Sequence, residues 1–263
     1  MYIPIPLKSK SSPSSLFNLI SDCNWEDAAS RVKYFPKEAK QSVKVCTNGT
    51  DQTKVLPLHH ACTLNPTVEI TETLLRINPS AASKRDSLFK RLPLHLACLN
   101  GASSDVVREL LIAFKDGAQS KLKDGQLPLH YACGSGASRE VVSELLKAYP
   151  NGARCQDNNG WLPIHLACLQ NASSDVIQLL LEIYPESVSI RTSRGNTPIQ
   201  CLKSIRNTGA NIDKSMAMLR GTEMNLNRRP LSRCVSSSKL QDLSSYSKLP
   251  IDIPIRKRCN SSP

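Results

Sequence analysis

An eight-residue phrase recurs four times in this chain, as VLPLHHAC, RLPLHLAC, QLPLHYAC and WLPIHLAC. Its prolines are Pro57, Pro93, Pro128 and Pro163, and a fifth, shortened copy, NTPIQ, brings Pro198. The intervals are 36, 35, 35 and 35 residues. A fixed period of this length marks units that cannot bury their apolar faces alone, so the chain must fold as a stacked array. With 40% apolar but only 5% aromatic residues, the core is expected to be thin and repetitive, built of Leu, Val and Ala.

Every unit repeats one pattern. Proline opens a short helix at its first turn, where the missing N–H costs nothing. A polar stretch such as NGASS or GSGAS follows, with a serine (Ser104, Ser138 or Ser174) expected as the N-cap of a second helix. The second helix carries Val106/Val107 with Leu110/Leu111, Val141/Val142 with Leu145/Leu146, and Val176/Ile177 with Leu180/Leu181. That spacing draws one buried stripe. Pro79, Pro150 and Pro185 stop these helices, with Lys115 at the equivalent place in one unit. Turns at Asp124-Gly125, Asn159-Gly160 and Arg194-Gly195 lead into the next proline.

GQLPLHYACGSGASREVVSELLKAYPNGARCQDNNG resembles an ankyrin repeat, whose signature is T-P-L-H-x-A followed by V-V-x-x-L-L and G-A. It is similar to an enlarged LPLHxAC-type variant of microalgal, diatom-like proteins. The resemblance implies an all-α solenoid of helix-turn-helix units joined by β-turn or hairpin-like loops. About four full repeats are expected, starting near 54, 90, 125 and 160, with a partial one near 195. LFNLI and NWEDAASRVKYFPKEAK read as the two helices of a degenerate first unit. Arg31 there replaces the inner leucine, as suits a capping unit with a wet outer face. NIDKSMAMLR reads as the last helix, with Met216 and Leu219 inward. The expected division is a flexible segment 1–14, a repeat domain 15–221 and a disordered, basic, serine-rich tail 222–263.

Each phrase holds a His-x-x-Cys pair: His59/Cys62, His95/Cys98, His130/Cys133 and His165/Cys168. Both are zinc ligands, and three-residue spacing puts them on one helix face. Structural zinc, however, needs four ligand atoms within about 4 Å of one another. Two ligands from each of two helices packed about 8–10 Å apart meet that poorly. The other reading is architectural. Cysteine packs as a small hydrophobe, and the resemblance implies that the histidine bonds the backbone of a neighbouring loop. One departure bears on this. Leu56, Leu92, Leu127 and Leu162 stand where the family has threonine, which only Thr197 keeps, beside Gln200 instead of histidine. The same equivalence in four copies argues against a nucleophile–base pair, and no phosphate loop or nucleotide fingerprint is present. A non-enzymatic chain with no cofactor and no metal is expected.

The net charge of +12 is unevenly placed. Residues 56–202 hold fourteen bases and thirteen acids, whereas 203–263 hold twelve bases and four acids. A uniformly basic nucleic-acid-binding domain would not look like this. The N-terminal stretch MYIPIPLKSKSSPSS has no apolar run of the signal-peptide kind, so the cysteines are expected reduced and the chain cytoplasmic or nuclear, with no membrane association.

The array supplies surface and no chemistry, so the leading function is a protein-interaction scaffold with a protein partner and no small-molecule substrate. The resemblance implies contact through a concave face of loop tips and first helices. Position by position these are Arg91, Asp124, Gln126, Asn158, Asn159, Trp161, Arg194 and Asn196 in the tips, and Leu99, Asn100, Ser135, Leu169 and Gln170 on the helices. Trp161 occupies the place of Arg91, Gln126 and Asn196, which are polar; it is either an interface anchor or a packing residue. The alternative is a nuclear or nucleic-acid-associated adaptor that binds weakly through the basic tail. Ser232, behind Arg228-Arg229, is a candidate phosphosite there.

Overall fold

The phrase-and-helix pattern becomes six helix pairs. The structure, a computed structural model, describes residues 15–47, 51–205 and 209–227. The segment 1–14, the tail from 228 onward and Ser232 lie outside the described residues. The pairs are α1 (Leu16–Ser21) with α2 (Trp25–Tyr34), α3 (Pro57–Thr63) with α4 (Val68–Ile77), α5 (Pro93–Asn100) with α6 (Ser104–Ala113), α7 (Pro128–Ser135) with α8 (Arg139–Ala148), α9 (Pro163–Leu169) with α10 (Ser174–Ile183), and α11 (Pro198–Lys203) with α12 (Ala210–Asn227). First helices pack on first helices and second helices on second, from one end to the other. The expected all-α stacked array is what forms.

The core repeats as the sequence does. Leu58, Leu94, Leu129 and Ile164 enter from the first helices, and Leu74, Leu110, Leu145 and Leu180 from the second; all are buried. Full burial of one such side chain contributes about 1.5–3 kcal/mol, and the ladder multiplies it unit by unit. Each inner second helix ends at a residue that leaves helical geometry (Asn78, Phe114, Tyr149 or Tyr184, with ψ between 73° and 84°) and passes into a 3-10 turn. In the capping unit Arg31 does not face water. Its guanidinium holds both carboxylate oxygens of Glu38 at 2.7–3.2 Å and lies 4.4 Å over the Phe35 ring. Glu38 Oε2 also accepts the Leu16 N–H at 2.8 Å, which ties the start of α1 to the end of the unit.

Three further expectations are corrected. The N-cap of α6 is Ser103, one residue before the predicted Ser104. Its extended backbone turns Oγ back to accept the Val106 N–H. Ser173 likewise takes the cap position of α10 in place of Ser174, whose N–H instead reaches Asn211 Oδ1 of the last unit at 2.9 Å. The last helix runs to Asn227, past the expected limit at 221, because Glu223, Met224 and Leu226 are good helix formers and proline returns only at Pro230. Along it Leu219 and Ser215 are buried, while Met216 is half-buried.

A two-stranded antiparallel hairpin, β1 (Val43–Thr47) with β2 (Asp51–Val55), joins the first two units, with Val43 opposite Val55. The longer first interval of 36 residues also has a local cause. The tip from Asp86 to Arg91 closes with Asp86 N–H on Arg91 O, one residue wider than Leu122–Gln126, Asp157–Trp161 and Thr192–Asn196. The extra residue is absorbed by Lys90 in the left-handed region, at φ 57°.

Candidate interaction face

Each tip leads directly into a first helix, so the tips and first helices share one side of the array. Glycine makes the tight tips possible: Gly125, Gly160 and Gly195 all have φ between 74° and 82°. At Gly160 a side chain would also collide, since a Cβ would lie 2.9 Å from the Ser193 backbone nitrogen. That closeness is how tips join. Ser193 N–H donates to Asn159 O at 3.0 Å, and Asn158 N–H to Asp124 O at 2.9 Å.

Within these tips several expected contact residues already have partners. Asn158 Nδ2 donates to Lys123 O, and Gln126 Nε2 donates to Asp157 Oδ2. The buried Asp157 in turn accepts the N–H groups of Asn159 and Trp161. Trp161 is half-buried against the core, its ring edge-on to His165 at 6.0 Å. On the helices, Asn100 Nδ2 donates to Leu96 O and the Ser135 hydroxyl to Cys98 O of the preceding unit. Arg91 pairs with the buried Asp86 at 2.9 Å and lies over Phe89. Leu99 and Asn196 are half-buried; Asp124, Asn158, Asn159, Leu169, Gln170 and Arg194 are exposed.

Sequence reasoning passed over Leu88 and Phe89. Both are exposed in the enlarged tip, Phe89 at 54%. The 36-residue interval was the available signal, because an inserted residue in a tip pushes its neighbours outward.

The histidines are buried in every phrase. Nε2 of His59, His95, His130 and His165 lies 3.0–3.1 Å from the carbonyl oxygen of Lys84, Ser120, Trp161 and Ile190 respectively, each in the segment leading to the next unit. A carbonyl only accepts, so Nε2 carries the proton. Nδ1 of His95, His130 and His165 is therefore an acceptor, and it takes the N–H of Leu92, Leu127 and Leu162 at 3.1–3.3 Å. This is half of a capping box: the residue at N3 reaches back to the N-cap N–H, but leucine has no oxygen to return. Thr197 and Gln200 make both halves, at 3.4 and 2.8 Å. Leu92, Leu127 and Leu162 are instead buried, so the change from threonine adds apolar core, while the imidazole reaches onward to the next unit.

Burial holds these imidazoles neutral. Desolvation is the first cause at all four, lowering His95 to about 4 and the others in the same direction. The same cause pushes Cys62 and Cys133 up to about 12, and Cys98 and Cys168 further upward. Buried thiols of this kind are inert. Among the described residues no group of three or more His, Cys, Asp or Glu is placed to hold a metal ion. In folded protein at pH 8, iodoacetamide followed by peptide mapping should leave Cys62, Cys98, Cys133 and Cys168 unlabelled until denaturant is added. Rapid native labelling of any of them would contradict the assignment.

Among the described residues no helix is long and apolar enough to cross a membrane. A search among curated proteins returns no match. The family model for ankyrin repeats (3 copies) matches three overlapping spans, 58–153, 94–193 and 129–228, which together cover more than half of the chain. Ankyrin repeats are in general protein–protein interaction modules and typically non-enzymatic. The repeated phrase, the stacked helix pairs and this match agree, and the chain belongs to the ankyrin-repeat family.

Proposed function

We propose that the chain is a non-enzymatic scaffold of the cytoplasm or nucleus that holds a protein partner on the face made by its tips and first helices. One observation carries the reading. The tips and first helices present exposed apolar side chains, Phe89 of the enlarged tip and Leu169 of α9, among exposed polar ones such as Asn159 and Gln170. Apolar anchors ringed by polar groups are the usual composition of a protein-binding surface. Trp161 contributes as a packing residue that stiffens its tip. Five buried free thiols among the described residues suit a reducing compartment.

The test uses the full chain as bait in native extract. Three baits are compared: the native sequence, the triple substitution Phe89→Arg, Asn159→Arg and Leu169→Arg, and the control Ile112→Arg, an exposed second-helix position. A discrete protein should be captured by the first and third and lost by the second. Capture that survives the triple substitution, or that nuclease abolishes, would overturn this reading in favour of charge-driven binding by the basic tail.

A further inference from the structure

A cavity of about 370 Å³ opens where the hairpin, α3 and the segment leading to the second full unit meet. Lys40, Lys54, Lys84 and Arg85 line it, and among its described lining residues there is no carboxylate. Among the described residues none of these four cations is ion-paired. Arg85 donates one N–H to Lys90 O, which fixes the side chain and leaves its other donors available. The neighbouring Asp86 is buried, its oxygens taken by Arg91 and by backbone N–H groups. Four cations around one cavity, with no acid among its described lining residues, make it electropositive.

His59 and Ser87 add to the polar lining of the cavity. His59 lines it and is 99% buried by its 1% relative exposure. Its Nε2 is committed to Lys84 O. Its Nδ1 has no hydrogen-bond partner, unlike the equivalent atoms of His95, His130 and His165. Ser87, also in the lining, accepts the Lys54 N–H on Oγ, which leaves its own proton to donate.

We propose that this cavity is an anion site that takes a phosphate monoester. Lysines and an arginine suit a multiply charged tetrahedral oxyanion, and the volume lies at the small end of ligand pockets, about 300–1,000 Å³. A phosphate monoester, with a second pKa of about 6, has far more basic oxygens than sulfate and so accepts more strongly from these cationic and hydroxyl donors. The phosphate comes either on a free small molecule or on a phosphorylated side chain of a partner protein. None of the residues placed on the tip-and-helix interaction face lines this cavity, so the site goes beyond that reading and stands or falls apart from it.

The experiment is calorimetric titration of the full chain, at constant ionic strength, with inorganic phosphate, O-phosphoserine, a neutral phosphoserine peptide, its unphosphorylated twin and sulfate. The expected result is saturable, one-to-one binding of the phosphorylated probes at least tenfold tighter than sulfate. Lys54→Gln and the pair Lys84→Gln with Arg85→Gln should weaken it at least tenfold; all three side chains are exposed, so the fold survives. Lys147→Gln, exposed on α8, should leave it unchanged. A peptide that binds tighter than free phosphoserine assigns the phosphate to a partner protein; equal affinity assigns it to a small molecule. No saturable binding, sulfate binding as well as phosphate, or an equal loss in Lys147→Gln would overturn the site.

Discussion

Acidifying the folded chain from pH 7 to pH 5 should lower its stability steeply, and His95 alone should account for about 2 kcal/mol of the loss. The ordinary imidazole value is 6.5, and burial takes His95 to about 4. Between those values the unfolded chain binds a proton that the folded chain refuses, so stability rises with pH there. The contribution is complete above about 6.5 and is eroded as the pH falls toward about 4. At about 1.36 kcal/mol per pH unit, the 1.5 units from 6.5 to 5 give the figure of about 2 kcal/mol. His59, His130 and His165 shift in the same direction for the same first cause, desolvation. Their losses add to that of His95. Urea midpoints at pH 7 and 5 measure the effect, with His95→Gln removing part of the slope. Equal midpoints would mean that these imidazoles are not held neutral.

Replacing His130 with alanine should cost about 3 kcal/mol, a large part of the 5–15 kcal/mol typical of a domain. Two hydrogen bonds are lost at once: the Leu127 N–H is left without a partner, and the Trp161 carbonyl keeps only the Asp157 N–H. The orphaned N–H costs about 1–3 kcal/mol and the lost bond to the carbonyl about 0.5–1.5 kcal/mol more. His59→Ala should cost at least about 1 kcal/mol less. Only the Lys84 carbonyl loses a partner, and an Nδ1 that had none is removed. Urea denaturation of both variants at pH 7.5 checks the contrast. Equal losses would show that the backward bond from N3 to the N-cap is worth nothing.

Much of this architecture was legible in the phrases themselves. Pro57, Pro93, Pro128 and Pro163 begin helices as the sequence implied, and Gly125, Gly160 and Gly195 take the left-handed turn. These features are local: one residue's backbone preference decides them. The hairpin was also written locally, as alternating Val43, Val45 and then Thr53, Val55 around Asn48-Gly49. The repeat pattern does not carry it, since among the described residues no other unit has strands there. The bond of each imidazole to a neighbouring loop's backbone was implied by the family resemblance and is present; which carbonyl it meets could not be read. The reach of His130 Nε2 to Trp161 O spans 31 residues and exists only after stacking. The cationic cavity is of the same kind, gathering residues from Lys40 to Ser87 that no spacing rule connects.

Tip-to-tip backbone bonds join Asp124 to Asn158 and Asn159 to Ser193. Among the described residues no such backbone bond joins the enlarged tip at 86–91 to the tip at 122–126. In mechanical terms the proposed binding edge is two plates in series: one braced by backbone bonds over the last three tips, and one before it that lacks this bracing among the described residues. A partner that spans both would meet a first part without that bracing. A partner confined to the braced part meets a shape that is already set and loses little freedom on docking.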